Sequence, residues 1–320
     1  MLNSSLRFEF ILTTDRGLKC NPKSSKSEDG SNRFMELIAA SVLGIIQGLT
    51  EFLPVSSSAH LILVPWLLGW RPEGIIFDVS LHLGTAIAVL AFFWKDWLAL
   101  GVEVVRGIRE RDPLGNSRRR LAWYLALGTL PAMFVGLQYE KFVEANFRSP
   151  LISVATLVVF AVFLYVADRI GDRSRTLDNL SIGDSLWVGC SQALALIPGV
   201  SRSGITIGTS LLRNVDRPSA ARFSFLLSTP IIVGAAMLQG WHLLEAIRDP
   251  VGFSARQGLG GVIEIRWEVL ALGTASAALT GFACIRYFLR YIQSRSFLPF
   301  VVYRIGLAAV VLIVYLRHGA

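Results

Sequence analysis

Long apolar segments constrain the fold of this chain more than any other feature of its sequence. Residues 151–167 and 305–316 contain no charged side chain. Such runs approach the ~20 residues that a helix needs to cross a bilayer. Charged residues make up 17% of the chain, whereas soluble domains carry about 25%. Because a backbone in lipid must satisfy its hydrogen bonds internally, the pattern predicts an all-α, polytopic helical membrane protein.

Six apolar segments are long enough to be full spans, and two others are interrupted by polar residues. The interrupted segments, 36–68 and 182–212, break at Pro54 and at Pro198-Gly199, which leaves each half short for a span. Broken helices at membrane depth are tolerated where they line a cavity or pack against protein, so both segments are predicted to be re-entrant helical hairpins. The six predicted spans are residues 76–94, 121–139, 151–167, 223–240, 267–289 and 297–316.

The chain repeats itself at a nearly constant offset. Gly44 and Gln47 correspond to Gly189 and Gln192, and three further matches follow in the same order, at offsets of 145 or 144 residues. This pattern indicates a single membrane domain, 35–320, built from two repeats at about 35–170 and 180–316. Three full spans in each repeat would invert the second repeat relative to the first, so the hairpins would enter from opposite faces.

Basic residues orient the chain in the membrane. Loop 95–120 carries seven Lys and Arg residues, and the positive-inside rule therefore predicts that it lies on the cytoplasmic side of the membrane. The net charge of +8 then reflects cytoplasmic loops and contact with anionic lipids, and nucleic-acid binding is excluded. Cys190 and Cys284 lie in apolar segments without a CxxC pair, so no disulfide framework or zinc site is expected.

Residues 1–34 differ from the rest of the chain because they are polar and lack a long apolar segment. They contain no signal-peptide core. We interpret them as a disordered tail or as a misassigned translation start, in which case Met35 would be the first residue.

The first hairpin carries a constellation suited to proton transfer. Gln47 and Glu51 share one helix face, and Ser57 and His60 follow the break. Glu51 could act as a general base, help to hold a divalent cation, or serve only as the counter-ion of Arg202. His60 could transfer a proton or be a packing residue, and Ser57 could be a nucleophile that His60 activates. Ser56 and Ser58 are predicted to cap the broken helix.

The second hairpin contains the sequence PGVSRSGIT at residues 198–206. Arg202 is suited to a two-point grip on phosphate, and Ser201, Ser203, Gly204 and Thr206 would add hydrogen-bond donors. The alternative is a polar loop from which Arg202 reaches the membrane surface. Arg304, inside the last span, is either a further phosphate ligand or a structural residue paired with a group such as Asp78.

These two segments resemble the signatures of the bacterial undecaprenyl-diphosphatase family of the bacitracin-resistance type. The matching sequences are QGLTEFLPVSSSAH at 47–60 and PGVSRSGIT at 198–206, with further similarity at 223–230 and 296–304. The resemblance implies that Glu51, Ser57, His60 and Arg202 are the catalytic residues. It also implies removal of the terminal phosphate from a C55 isoprenyl diphosphate on the outer face of the plasma membrane. This reaction recycles the carrier lipid for peptidoglycan synthesis. Gln47 takes the neutral option at the first acidic position of the motif and is expected to bind the substrate phosphate.

The predicted reaction converts a polyprenyl diphosphate and water into polyprenyl phosphate and inorganic phosphate. Mg²⁺ or Ca²⁺ would offset the diphosphate charge together with Arg202, and Glu51 would be its candidate protein ligand. The attacking group is either Ser57 or a water molecule. A transporter or flippase for lipid phosphates is the alternative function, because inverted repeats with broken helices are typical of transporters. A homodimer is left open.

Overall fold

The computed structural model describes residues 25–70, 75–147, 149–249, 251–252 and 266–318. These residues are almost entirely helical. Two short 3₁₀ turns, Leu177–Asn179 and Leu194–Leu196, join the longer elements of the second half. The α-helices are α1 (Ser25–Phe52), α2 (Ser57–Leu68), α3 (Ile75–Arg109), α4 (Ser117–Phe147), α5 (Pro150–Ile170), α6 (Ile182–Ala193), α7 (Arg202–Leu212), α8 (Arg217–Arg248), α9 (Trp267–Tyr291) and α10 (Leu298–His318).

The all-α polytopic architecture predicted from the sequence is confirmed. Each of the six predicted spans corresponds to one long apolar helix, in the order α3, α4, α5, α8, α9 and α10, and of their residues Phe297 alone falls outside the helix, one position before α10. A seventh helix also has the length and composition of a span, because α1 is apolar over Arg33–Phe52. The expectation that each half of the first hairpin is too short to cross a bilayer is therefore wrong for α1. It holds for α2, which has 12 residues.

Both interrupted segments form helical hairpins. In the first, α2 folds back along α1, so that Leu61 and Val64 pack in one cluster with Ala40 and Leu43. In the second, Asp184 near the start of α6 pairs with Arg213 at the end of α7. A short turn between two antiparallel helices lies at one end of the helix pair. Its polar side chains and backbone groups can therefore contact another part of the protein or a ligand.

The turns of the two hairpins have the same backbone geometry. Ser56 and Ser201 precede α2 and α7 with φ values of 75° and 73°, a left-handed conformation that is uncommon for serine. Each serine then caps its helix, with Ser56 Oγ accepting from Ala59 N at 3.4 Å and Ser201 Oγ from Gly204 N at 3.2 Å. The predicted capping role of Ser56 is therefore confirmed, and Ser201 has the same role in the second hairpin.

Close helix contacts also recur at equivalent positions. A Cβ atom added to Gly44 of α1 would lie 2.5 Å from the Gly273 carbonyl oxygen of α9. A Cβ atom added to Gly189 of α6 would lie 2.1 Å from the Gly128 carbonyl oxygen of α4. Each hairpin therefore packs against the fourth helix of the other half through a pair of small residues, as is common between membrane helices. This reciprocal packing supports our proposal of two repeats.

The second hairpin is anchored at its base by a buried ionic cluster. Asp184 is fully buried and accepts from Arg175 Nη2 at 2.6 Å and from Arg213 Nε at 2.8 Å. Burial raises the pKa of Asp184, but hydrogen bonds from Arg175, Ser181 and Arg213 outweigh it and hold the pKa well below its usual range. The cluster fixes the start of α6 and the end of α7, and with them the position of the turn.

The start of the chain differs from the sequence-based expectation. Helix α1 begins at Ser25, ten residues before the predicted boundary at residue 35, so residues 25–34 are helical and are not a disordered tail. Arg33 within this extension pairs with Glu268 at 2.8 Å. Residues 1–24, which the same prediction includes, lie outside the described part of the chain.

Candidate active site

The tips of the two hairpins meet. Ser203 Oγ donates to the Leu53 carbonyl oxygen at 2.9 Å, and Arg202 Nη2 forms an ion pair with Glu51 Oε1. Arg202 and Ser57 are both the first residue of the second helix of their hairpin. The structure thus brings the proposed arginine, carboxylate and serine together from segments about 150 residues apart, as the repeat predicts.

Glu51 is the centre of this arrangement. Its side chain is 2% exposed, and its carboxylate accepts from Ser57 Oγ at 2.6 Å, from Gln47 Nε2 at 3.0 Å and from Arg202. It also lies beside the N-termini of α2 and α7, whose dipoles favour negative charge. These contacts stabilise a buried carboxylate that would otherwise be costly in a membrane. The same donors and dipoles would stabilise a phosphate group at this position.

His60 does not contact Ser57 as the sequence suggested. Its Nδ1 lies 2.7 Å from the Ser56 carbonyl oxygen and its Nε2 lies 2.7 Å from the Tyr303 hydroxyl. A carbonyl oxygen can only accept, so Nδ1 carries the proton and the neutral ring accepts from Tyr303 at Nε2. Both ring nitrogens of His60 therefore contact groups other than Ser57 in this arrangement, and the activation of Ser57 by His60 stays a prediction. The partner of Ser57 is Glu51.

Tyr303 is the functional residue that sequence reasoning missed. Its ring stacks on that of His60 with a centroid distance of 5.6 Å and an interplanar angle of 4°. The residue is 48% exposed, whereas His60 is 3% exposed. Tyr303 therefore connects the buried imidazole to the exterior of the helix bundle. Its position beside Arg304 in the segment 296–304 was a signal, but nothing in the sequence pairs it with a residue 243 positions away.

Most of the predicted phosphate ligands of the second hairpin are engaged by the protein itself. Thr206 is fully buried, and its hydroxyl donates to the Arg202 carbonyl oxygen at 2.7 Å and bonds Ser224 Oγ at 2.6 Å. The Gly204 N–H is used by the Ser201 cap, and Ser203 ties the two turns together. Phosphate binding by Ser201, Ser203, Gly204 and Thr206 stays a prediction. In this arrangement they shape the turn that presents Arg202.

The side chain of Arg304 connects the two hairpin turns to each other. It is fully buried, and its guanidinium donates to carbonyl oxygens of both hairpin turns, including Pro54 at 3.3 Å and Gly199 at 2.7 Å. Its Nε donates to the Leu157 carbonyl oxygen at 3.2 Å. Of the two predicted roles, the structural one fits these contacts and the phosphate-ligand role does not. The guanidinium fixes the two turns relative to α5 and α10.

The donor set of the site suits a cation only in part. In the described ranges, no group of three or more His, Cys, Asp or Glu side chains lies close enough together to hold a metal ion. Beside Glu51, however, Gln47 is fully buried and its Oε1 has no hydrogen-bond partner. An amide oxygen and one carboxylate fit a hard cation that takes its remaining ligands from phosphate oxygens and water.

The fold and the site together define a class: a polytopic helical membrane protein with a carboxylate, a hydroxyl and a guanidinium held at the meeting point of two hairpins. The family model described as bacitracin resistance protein BacA matches residues 40–310 of the chain. The match covers the turns of both hairpins and all of the site residues described above. The chain belongs to this family.

Individual relatives agree with the family match. A protein of Desulforudis audaxviator is 45% identical over 278 residues, which covers 87% of this chain and 97% of the relative. A protein of Pelotomaculum thermopropionicum is 45% identical over 287 residues, covering 89% of this chain and all of the relative (100%). A protein of Moorella thermoacetica is 44% identical over 281 residues, covering 88% and 98%. All three carry the name undecaprenyl-diphosphatase.

Proposed function

We propose that the chain hydrolyses undecaprenyl diphosphate to undecaprenyl phosphate and inorganic phosphate, and so recycles the lipid carrier of cell-envelope polymers. The observation that carries this proposal is the contact of Ser57 Oγ with Glu51 Oε2 at 2.6 Å, next to Arg202. A hydroxyl on a carboxylate beside a phosphate-binding guanidinium is an arrangement for phosphoryl transfer. The similar proteins from three organisms, all named undecaprenyl-diphosphatase, support the same reaction.

Ser57 is the proposed nucleophile and Glu51 its general base. Ser57 Oγ forms a bond to the terminal phosphorus as Glu51 takes the hydroxyl proton, and the bond from that phosphorus to the bridging oxygen breaks. Undecaprenyl phosphate leaves with the bridging oxygen and its electron pair. Water then attacks the phosphorus of the phosphoserine, and the bond from that phosphorus to Ser57 Oγ breaks. Inorganic phosphate leaves with the oxygen and both hydrogens of the water, and Ser57 Oγ takes back the proton held by Glu51.

Charge neutralisation is the second task of the site. Arg202 is the side chain best suited to bind phosphate oxygens in pairs, and the N-termini of α2 and α7 add partial positive charge. Arg202 now pairs with Glu51, so an incoming diphosphate would compete for the guanidinium. This exchange would leave Glu51 free to accept the proton of Ser57. A bound Mg²⁺ or Ca²⁺, held by Gln47 Oε1 and Glu51, would offset further diphosphate charge.

A transporter would need the phosphate-binding groups but not a serine bonded to a carboxylate. The relatives carry an enzyme name, which favours hydrolysis over transport. The site residues described above all belong to one chain. We infer a multi-pass protein of the bacterial plasma membrane whose site opens to the outer face, since the basic loop 95–120 is expected on the cytoplasmic side.

The direct test is phosphate release by the purified protein. The wild-type chain in detergent should release inorganic phosphate from undecaprenyl diphosphate, and Ser57→Ala, purified in the same way, should release it at least 10²-fold more slowly, roughly the loss typical of a removed catalytic group. The matched variant Ser58→Ala, one residue away, should keep most of the activity. Equal phosphate release from all three preparations would indicate a contaminating phosphatase and would contradict the proposal.

Tyr303 is expected to act as a positioning residue for His60. Tyr303→Phe keeps the stacked ring but removes the hydroxyl that donates to Nε2. One neutral hydrogen bond corresponds to about 0.5–1.5 kcal/mol, so turnover should fall by roughly 3- to 10-fold. Because the hydroxyl also restricts the protonation of Nε2, the pH dependence of kcat should change as well.

The control for this variant is Tyr287→Phe, which removes a hydroxyl from a side chain 67% exposed on α9. It should leave both turnover and pH profile unchanged. A Tyr303→Phe enzyme with the wild-type pH profile would show that the Tyr303 hydroxyl has no influence on His60 during turnover.

A further inference from the structure

A polar cavity lies apart from the residues of the candidate active site. It has a volume of about 550 Å³ and lies between α3, α4, α8 and the 3₁₀ turn Leu177–Asn179. None of Glu51, Ser57, His60 or Arg202 lines it. The charged groups in its wall are Lys95, Asp96, Arg118, Asp178 and Arg222.

The wall carries an excess of positive charge. Three basic side chains come from three different helices, and one of them, Arg222, forms an ion pair with Asp96. Lys95 lies over the Trp94 ring at 5.4 Å, and Arg118 is exposed. With Asp178 as the second acid, the three cations exceed the two anions by one charge.

Two helix N-termini add to this charge. Ser117 and Arg118 in the wall are the first two residues of α4, and Pro218 and Ser219 belong to the first turn of α8. Helix N-termini carry partial positive charge and are common sites of phosphate binding. Both ends are capped, since Asp216 Oδ1 accepts from Ser219 N at 2.7 Å and Asn116 Oδ1 accepts from Arg119 N at 2.9 Å. The Asp216 carboxylate offsets part of the charge at the start of α8, so the basic side chains remain the main positive groups of the cavity.

Leucine side chains also line the cavity. Leu121 and Leu226 lie within the predicted spans 121–139 and 223–240, whereas Leu100 and Leu177 lie outside the predicted spans. Lys95 follows the end of the predicted span 76–94, and Arg222 precedes the predicted span 223–240. The cavity therefore lies at the expected boundary between the apolar and basic parts of the helices, which is the level of lipid headgroups. Basic side chains next to leucines of two predicted spans match a molecule with a phosphate head and a hydrocarbon tail.

We propose that this cavity binds the phosphate group of an anionic lipid at the basic face of the protein. Two lipids share this chemistry: an acidic phospholipid of the surrounding membrane and a polyprenyl phosphate, the product of the proposed reaction. Binding of the first kind does not depend on the proposed function. Binding of the second kind would give the product a site away from Arg202.

The test compares lipid binding by the purified protein and by the double variant Lys95→Gln/Arg118→Gln. Both substituted side chains are exposed, so the helix core is unchanged. Native mass spectrometry in neutral detergent would measure the binding of phosphatidylglycerol, undecaprenyl phosphate and, for comparison, phosphatidylcholine. Removing two cations next to a phosphate should weaken the binding of the anionic lipid by about 10-fold or more.

The matched control is Arg109→Gln/Arg290→Gln, which removes the same charge from exposed positions outside the cavity. It should change binding by less than about twofold if the charge acts locally. If the cavity variant, but not the control variant, binds only phosphatidylglycerol more weakly, the site is assigned to a membrane phospholipid. If it binds only undecaprenyl phosphate more weakly, the site is assigned to the product. Equal binding of both anionic lipids by the cavity and control variants would overturn the proposal.

Phosphate release, measured on the same preparations, separates this proposal from the proposed function. The cavity variant should hydrolyse undecaprenyl diphosphate at the wild-type rate in neutral detergent, because no side chain of the candidate active site is altered. A wild-type protein that binds the anionic lipid but releases no phosphate would leave the cavity assigned and would contradict only the enzymatic proposal.

Discussion

Arg202→Lys should lower phosphate release by about 10²–10³-fold, the loss typical of removing one preorganised donor to transition-state charge. Lysine keeps the positive charge and can still pair with Glu51, but it lacks the planar guanidinium that binds two phosphate oxygens at once. The side chain of Arg202 is 20% exposed and that of Glu51 is 2% exposed, so the arginine is the member of the pair that can reach a ligand. Phosphate release at saturating undecaprenyl diphosphate would measure the effect.

The matched control for Arg202→Lys is Arg213→Lys at the opposite end of α7. Arg213 pairs with Asp184 at the base of the hairpin and is not part of the candidate site. Its replacement should leave turnover within about twofold, because lysine keeps the positive charge beside Asp184 and Arg175 still donates to that carboxylate at 2.6 Å. Near-normal turnover in Arg202→Lys, at equal membrane abundance, would remove Arg202 from phosphate binding.

Glu51→Gln should lower turnover by roughly 10²–10⁴-fold, as expected for loss of a general base. The amide retains the size of the side chain but cannot take a proton from Ser57. If Glu51 and Ser57 act as one unit, as their 2.6 Å contact indicates, Glu51→Gln/Ser57→Ala should be little worse than the poorer single variant. Phosphate release by the four proteins of this double-mutant cycle is the measurement.

The same cycle with His60→Ala is the comparison. His60 bonds Ser56 and Tyr303 and not Ser57, so the losses from Glu51→Gln and His60→Ala should multiply. Multiplicative losses in the Glu51 and Ser57 cycle would show that the two residues act independently, and Glu51 would then be a counter-ion of Arg202 or a cation ligand. Thermal unfolding of each variant would separate loss of chemistry from loss of the buried ion pair.

The sequence predicted much of the fold because its signals are strong and local. Long uncharged runs identify helices in lipid, and proline and serine inside such runs mark where they break. The residues of the first hairpin and Arg202 could be proposed as partners because the repeat places equivalent turns at a constant offset. The length of α1 was underestimated because the polar residues 25–34, which continue the helix, lack an apolar pattern.

The roles of individual side chains were less predictable. Arg304 and Thr206 look like phosphate ligands in the sequence because a polar group in an apolar segment is typical of function. In the structure Arg304 is saturated by backbone carbonyl oxygens and Thr206 by the Arg202 carbonyl and Ser224. Broken helices leave unpaired backbone groups, and polar side chains are also needed to satisfy them.

The membrane class, the two hairpins and the pairing of Glu51 with Arg202 could be predicted from the residues alone, because each follows from an apolar run, an interruption or a charge that must be neutralised in lipid. The bonds of Ser57 to Glu51 and of His60 to Tyr303 became evident only from the folded chain. Ser57 and His60 are close in the chain, but a hydrogen bond between side chains depends on their rotamers and on the donors and acceptors of the neighbouring helix. Here helix α10 supplies the hydroxyl of Tyr303, which bonds His60 although the two residues are 243 positions apart in the sequence.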